Sequence, residues 1–244
     1  MNEKNNFKNT KRIKITYFSL ILVAPILLYI VNTSPINSKL MGLIKIFLIF
    51  MIWLGIFNLL PKRIFKIFWI FFPTLVVLLL MLTSKAINSK ELNDLYMKEL
   101  KSFEKTNYFW GGESSNGIDC SGLPRRSLRN AYLKYAIKNL NGKAIFLYLE
   151  NWWYDSSALA LMKDYRKYVV DKKISGTIKT ISYKNLKPGD LAITKSGLHV
   201  MVYFANDLWI QADPDKKIVI IQNGKTDENM WFYQQINIFR WKHM

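Results

Sequence analysis

The sequence predicts an α+β domain, with helices first and an antiparallel sheet after, preceded by three transmembrane helices. Three observations carry this. Residues 15 to 83 are almost wholly Ile, Leu, Phe, Val, Met and Trp, residues 91 to 139 hold two helical runs, and short β-runs separated by turns follow from residue 176. The chain is therefore expected to divide into a membrane anchor, residues 1–88, and a soluble domain, residues 89–244.

Apolar stretches at about 15–31, 41–60 and 67–83 each approach the length that crosses a hydrocarbon core of about 30 Å as a helix. The remaining residues are too few to bury three such segments. Lys4, Lys8, Lys11, Arg12 and Lys14 precede the first stretch, and Lys62, Arg63 and Lys66 separate the second from the third. By the positive-inside rule the amino terminus and the second loop face the cytoplasm, so everything after about Ser84 lies outside a bacterial cell membrane. Lys45, inside the second stretch, is expected to snorkel to the outer interface. If the first stretch were instead a cleaved signal peptide, the two-helix remainder would still leave the soluble domain outside.

Residues 91 to 105 read as an amphipathic helix. The motif Gly117-Ile118-Asp119-Cys120-Ser121-Gly122 then leads into a helical run from Leu123, with Pro124 in the first turn, where proline is tolerated. β-runs follow at Gly176–Tyr183, Asp190–Thr194, His199–Ala205, Leu208–Asp213, Lys217–Gln222 and Trp231–Trp241. Residues 140 to 176 make a long connection containing Trp152, Trp153 and Tyr154, whose aromatic area is expected in the core.

One cysteine and two histidines occur in the chain, which excludes an intrachain disulfide framework and leaves a structural zinc site without ligands. No cofactor or metal is expected. Residues 1 to 90 carry 12 Lys and Arg against one Glu, and residues 91 to 244 carry 23 against 16 acids. The second group is scattered, reads as a solvated surface and forms no aromatic-interleaved patch, so nucleic acid is not an expected partner.

Cys120 is placed at a helix amino terminus, where unsatisfied N–H groups favour a thiolate. His199 opens a strand and is the well-placed base for that thiol, whereas His243 is the penultimate residue. Gln211 lies twelve positions after His199 across the turn Asn206-Asp207. A bulged or three-residue loop puts the two side chains on one face; a strict two-residue loop puts them on opposite faces. On one face, Gln211 can fix the imidazole tautomer and free the other ring nitrogen as base, with Asp213 as the substitute.

These residues resemble the NlpC-type cell-wall peptidases of the papain-like superfamily. The matching pieces are Tyr108-x-Trp110-Gly111-Gly112, Gly117-Ile118-Asp119-Cys120-Ser121-Gly122-Leu123, Leu186-x-Pro188-Gly189-Asp190-Leu191, and His199-Val200-x-x-Tyr203 followed by Trp209-Ile210-Gln211-Ala212. The resemblance implies a papain-like core in which Cys120 is nucleophile, His199 base and Gln211 the third, orienting residue. It implies that the Tyr108 hydroxyl lies near the oxyanion, with the Cys120 N–H as a further donor. Trp110, Asp119, Ser121 and Asp213 are expected substrate contacts, and the implied substrates are peptidoglycan stem peptides, cut at a γ-glutamyl bond. Gln at the third position, Pro124-Arg125-Arg126 and the long 140–176 connection depart from the family pattern. An acyltransferase or lipid-amide hydrolase of the same fold, and an inactive membrane-tethered wall-binding module, are the competing functions.

Overall fold

A computed structural model describes residues 2–36, 38–60, 62–82 and 85–244, with side chains from residue 15 onward except 64 and 79–82. The chain forms two compact units, one up to Leu79 and one from Leu80.

The first unit holds α1 (Asn2–Thr33), α2 (Lys39–Leu59) and α3 (Arg63–Leu82). Ser38 caps α2 by accepting from Met41 N–H at 3.3 Å. A Cβ on Gly55 would come within 2.8 Å of Ile21 Cγ1, so this glycine lets α2 approach α1 closely. Two segments, Ile15–Thr33 and Lys39–Leu59, are long and apolar enough to cross a membrane, and few of their side chains are buried. The third expected crossing is shorter among the described residues, an apolar helix over Phe65–Leu78. Its expected end at 83, and Ser84, lie outside the described residues.

The second unit is α+β. Helices α4 (Ser89–Ser102), α5 (Gly122–Asn139), α6 (Gly142–Trp153) and the short α7 (Ala158–Met162) come before most of the sheet, with a small hairpin, β1 (Glu113–Ser114) and β2 (Gly117–Ile118), between α4 and α5. The main sheet is antiparallel, with strands β3 (Val169–Gly176), β4 (Leu191–Thr194), β5 (Val200–Ala205), β6 (Leu208–Asp213), β7 (Ile218–Asn223) and β8 (Ile236–Trp241) in the order β3-β8-β4-β5-β6-β7.

Strand alternation splits the core in two. Val200, Val202, Ile210 and Ala212 face the helices and pack with Leu92, Leu100 and Tyr132. Met201, Tyr203 and Trp209 face the other way and are covered by Ile178, Ile181 and Phe232. Asn88 and Asn141 cap α4 and α6 by accepting from Glu91 N–H at 3.1 Å and Ala144 N–H at 3.0 Å. In the Pro188-Gly189-Asp190 motif, buried Asp190 accepts two bonds from the Arg240 guanidinium, at 2.6 and 2.8 Å, tying the start of β4 to β8.

Three elements differ from the sequence expectation. The run Gly176–Tyr183 is not a strand: the strand is β3, which ends at Gly176, and the chain then turns on bonds from Thr180 and Ile181 N–H to Thr177 O at 3.0 and 2.9 Å. Ile178 and Ile181 mimic a strand pattern but are buried as turn residues beneath the sheet. The expected strand from Trp231 begins only at Ile236, because Met230–Tyr233 form a 3-10 turn capped by Asn229. Residues 140 to 176 fold into α6, α7, a 3-10 turn at Tyr165–Lys167 and β3. Helix α6 buries Ala144 and Leu147, a spacing that leaves Trp153 off the buried face, and it ends before Tyr154, whose backbone has left the helix; the two are 44% and 37% exposed, so core packing fails for them.

Phe232 is fully buried among the residues that seal the second face. Phe232→Ala should lower unfolding free energy by about 3–5 kcal/mol, read from denaturant melts.

Candidate active site

The Cys120 loop is built by Asp119. Its carboxylate accepts from Gly111 N–H at 2.9 Å, from the Ser121 hydroxyl at 3.1 Å and from Gly122 N–H at 2.5 Å. Asp119 N–H donates to Gly112 O at 3.0 Å, so the segment before β1 is stitched to the start of α5. The close approach needs glycines: a Cβ on Gly122 would collide with Gly112 O. Both Asp119 oxygens and the Ser121 hydroxyl are thus engaged within the loop.

Cys120 is buried, 9% exposed, two residues before α5 begins. Its thiol donates to Leu198 O at 3.7 Å, and the Val200 N–H is directed at the sulfur. The sulfur therefore lies against the peptide groups on both sides of His199, while its proton is given to a carbonyl and not to the imidazole. Among the described residues the Cys120 N–H makes none of the main-chain bonds that hold Asp119 and Leu123.

His199 is anchored by Thr194, whose hydroxyl oxygen accepts from His199 N–H at 3.0 Å and Leu198 N–H at 3.1 Å. Its ring is 1% exposed, and Nε2 lies 2.7 Å from Gln211 Oε1. Because an amide oxygen only accepts, Nε2 carries the hydrogen and Nδ1 keeps its lone pair. The face question is settled by a bulge: the turn Asn206-Asp207 has two residues, both left-handed, but the pairing shifts between Tyr203↔Trp209 and Ala205↔Leu208. That shift puts His199 and Gln211 on one face.

The sequence reading missed Trp231. Its indole stacks on the imidazole with centroids 4.1 Å apart and planes 24° apart. Trp231 is held in turn, Nε1 donating to Asp215 Oδ2 at 3.1 Å and N–H to Asn229 Oδ1 at 2.9 Å. Asp213 is buried but does not bond the imidazole; it accepts from Asp215 N–H, Lys216 N–H and Asn229 Nδ2 at 2.8, 3.0 and 2.7 Å. No local pattern marks a tryptophan twenty residues beyond Gln211 as a ring partner.

Tyr108 lies in an extended segment bridged to Ile118, its N–H donating to Lys217 O at 2.9 Å. Burial, then the Cys120 and Asp119 charges, push its phenol up to about 12, so it stays protonated and able to donate. Trp110, two residues after Tyr108, is 83% exposed. The unusual Arg125 lies beside the site: Nε donates to Ser121 O at 3.1 Å, and the guanidinium pairs with buried Glu113 at 3.2 Å and with Asp155. Arg129 pairs with the same Glu113.

The electrostatics run against the expected thiolate. Burial pushes the Cys120 thiol up to about 11 and Asp119 adds to it; the Val200 and Ser121 N–H groups and Arg125 offset only part. Burial also holds the imidazole down at about 4, against smaller opposing effects of Gln211, Asp213 and Asp215. At neutral pH the resting pair is thiol and neutral imidazole.

The family profile of NlpC/P60 matches residues 105–240. No curated protein sequence matches significantly. Similar solved structures include NlpC2 from Trichomonas vaginalis, 16% identical with a TM-score of 0.40, covering 64% of this chain and 49% of that one. The peptidoglycan hydrolase RipB of Mycobacterium tuberculosis is 16% identical, TM-score 0.39, with 62% and 65% covered. An NlpC/P60 family protein of Bacillus cereus is 16% identical, TM-score 0.39, with 64% and 41% covered. The match thus spans less than two thirds of each of these proteins.

Two measurements check the site. Iodoacetamide labelling of Cys120 in the absence of substrate should climb with pH up to about 10, without a plateau below the ordinary thiol value of about 8.5. Trp231→Ala should open the ring to water and raise the His199 pKa by about one to two units, as ring-proton NMR would read, while Trp231→Phe should hold it near the wild-type value.

Proposed function

The chain belongs to the NlpC/P60 family, and from that premise we propose that it is a membrane-anchored cysteine peptidase hydrolysing amide bonds in peptidoglycan stem peptides. The observation that carries this reading is the buried His199–Gln211 bond beside a sulfur gripped by the peptides flanking His199. Gln211 reserves Nδ1 as the basic nitrogen and Trp231 keeps the pair dry.

In the proposed reaction Nδ1 takes the thiol proton as the sulfur attacks the amide carbon, forming a carbon–sulfur bond and an oxyanion. The Tyr108 hydroxyl and the Cys120 N–H are the donors to that oxygen. The imidazolium then gives its proton to the leaving amine, breaking the carbon–nitrogen bond and leaving a thioester. Water, deprotonated by the same imidazole, attacks the thioester and releases a carboxylic acid and the thiol. Since both partners rest uncharged, the proton moves during attack rather than before it.

Residues 1–88 serve as the anchor, residues 89–244 as the extracytoplasmic hydrolase. Three crossings, with the third completing α3, place the hydrolase outside the cell by the distribution of Lys and Arg. One observation favours a second reading: Phe109, Trp110 and Leu198, next in sequence to Tyr108 and His199, are exposed, apolar area suited to an acyl chain. An acyltransferase or lipid-amide hydrolase would use the same groups.

Muropeptides incubated with the full chain should yield a new amine and a matching mass change, with Cys120→Ala reducing the rate by 10³-fold or more, on the order of a lost nucleophile. Intact muropeptides beside a cleaved acyl amide would move the assignment to the second reading, and inertness towards both would leave a binding module. The pH profile tests the proton inventory. The base must be neutral, so kcat/KM falls as pH drops through about 4, and the reactive proton must be present on the thiol, so it changes again near 11. An acid limb near 6.5 instead would mean that the imidazole is not buried as described.

A further inference from the structure

A cavity of about 300 Å³ in the carboxy-terminal unit gathers cations from three separate segments. Lys143 lies at the start of α6, Arg166 and Lys167 make the 3-10 turn, and Lys242 and His243 follow β8. The one acid in the lining is Glu150, and it bonds Arg166 at 2.9 Å. Lys143, Lys167 and Lys242 are thus left without an acidic counterpart in that lining. The field is felt by His243: burial lowers its pKa, and Lys143 and Lys242 lower it further, opposed only by Glu150.

The backbone holds the cations there. Asp164, Arg166 and Lys167 all have left-handed φ, at 54°, 56° and 56°, a conformation that side chains with a Cβ resist. The turn is fixed in place, because Lys242 N–H donates to Tyr168 O at 2.9 Å and Val169 pairs with Trp241. Like charges drawn together in a concave site repel one another unless an anion joins them. A carboxylate offers two oxygens in one plane, whereas a phosphate presents oxygens in several directions, matching donors that enter from three sides. The volume sits at the small end of the range of about 300–1,000 Å³ for ligand sites, as suits a small headgroup-sized anion.

We infer that this cavity binds a phosphate ester, arriving as a free solute or as the headgroup of an anionic lipid. The lining includes neither Cys120, His199 nor any residue bonded to them, and the inference does not rest on the peptidase reading.

The test uses the full chain in uncharged maltoside micelles, titrated calorimetrically with inorganic phosphate, with glycerol 3-phosphate and with phosphatidylglycerol carried in the micelles. At least one probe should bind saturably, and Lys167→Glu with Lys242→Glu should weaken it tenfold or more. Lys98→Glu with Lys184→Glu, the same charge change at exposed positions elsewhere, should bind as the wild type does. Lys143→Gln, in the separate helix α6, should also weaken binding and supplies the readout if the double reversal unfolds. Saturation by glycerol 3-phosphate identifies a free ester; saturation by phosphatidylglycerol alone identifies a lipid headgroup. The inference is overturned if no probe saturates, or if the cavity variants and the surface control lose affinity equally.

Discussion

The register of β5 against β6 is the constraint on which the site depends. A two-residue turn with strict pairing would leave His199 and Gln211 on opposite faces of the sheet. The bulge between Tyr203 and Ala205 adds the missing residue and turns both inward, to the face where Trp231 can cover them. Thr194 fixes the other end of the histidine by binding two successive N–H groups. Ring position, tautomer and shielding therefore follow from one irregularity in an otherwise regular ladder.

The same enclosure sets the charge state. A desolvated imidazole and a desolvated thiol each disfavour their ionised forms, and the helix start that the motif supplies does not outweigh that penalty. The helix begins at Gly122, so Cys120 lies outside its first turn, where the dipole is weaker than at the cap. The N–H groups of Val200 and Ser121 recover part of the lost solvation. They await a negative sulfur, which makes them useful once the proton has left.

Much of this was legible in the sequence, and the reason is local. The Asp119-Cys120 loop and the Pro188-Gly189-Asp190 turn each specify backbone bonds within a few residues of themselves, or glycines at positions a Cβ would block. The antiparallel sheet was legible from the short runs and turns, but the pairing of His199 with Gln211 was open, because it turned on the bulge in the hairpin between them. What was not legible depended on partners far along the chain. Trp231 reads as the start of a strand until Asn229 and Asp215 are seen to hold it as a turn. Ile178 and Ile181 sit in a run of β-branched residues that reads as a strand, yet fill space under the sheet. Trp153 has the composition of a core and the helical phase of a surface, while Tyr154 follows the end of α6 and packs on the Arg166 guanidinium at 3.6 Å.

The long connection between α5 and β3 gains its meaning from two contacts that no motif announces. Asp155 reaches Arg125 in the first turn of α5, immediately after the cysteine loop. Four residues later Leu159 lies so close to Gly197 that a Cβ there would come within 2.7 Å of its Cδ1. Gly197 belongs to the turn that delivers Leu198 and His199, and its φ of 70° further excludes most side chains. One inserted segment thus touches both the element that carries the sulfur and the turn that carries the imidazole. Since the two approach each other across 79 residues of chain, and the thiol meets that turn through a single long bond to Leu198, a brace common to both reduces their relative freedom. Arg125, directly after the cysteine loop, and the long connection thus meet at one ion pair, Arg125 with Asp155.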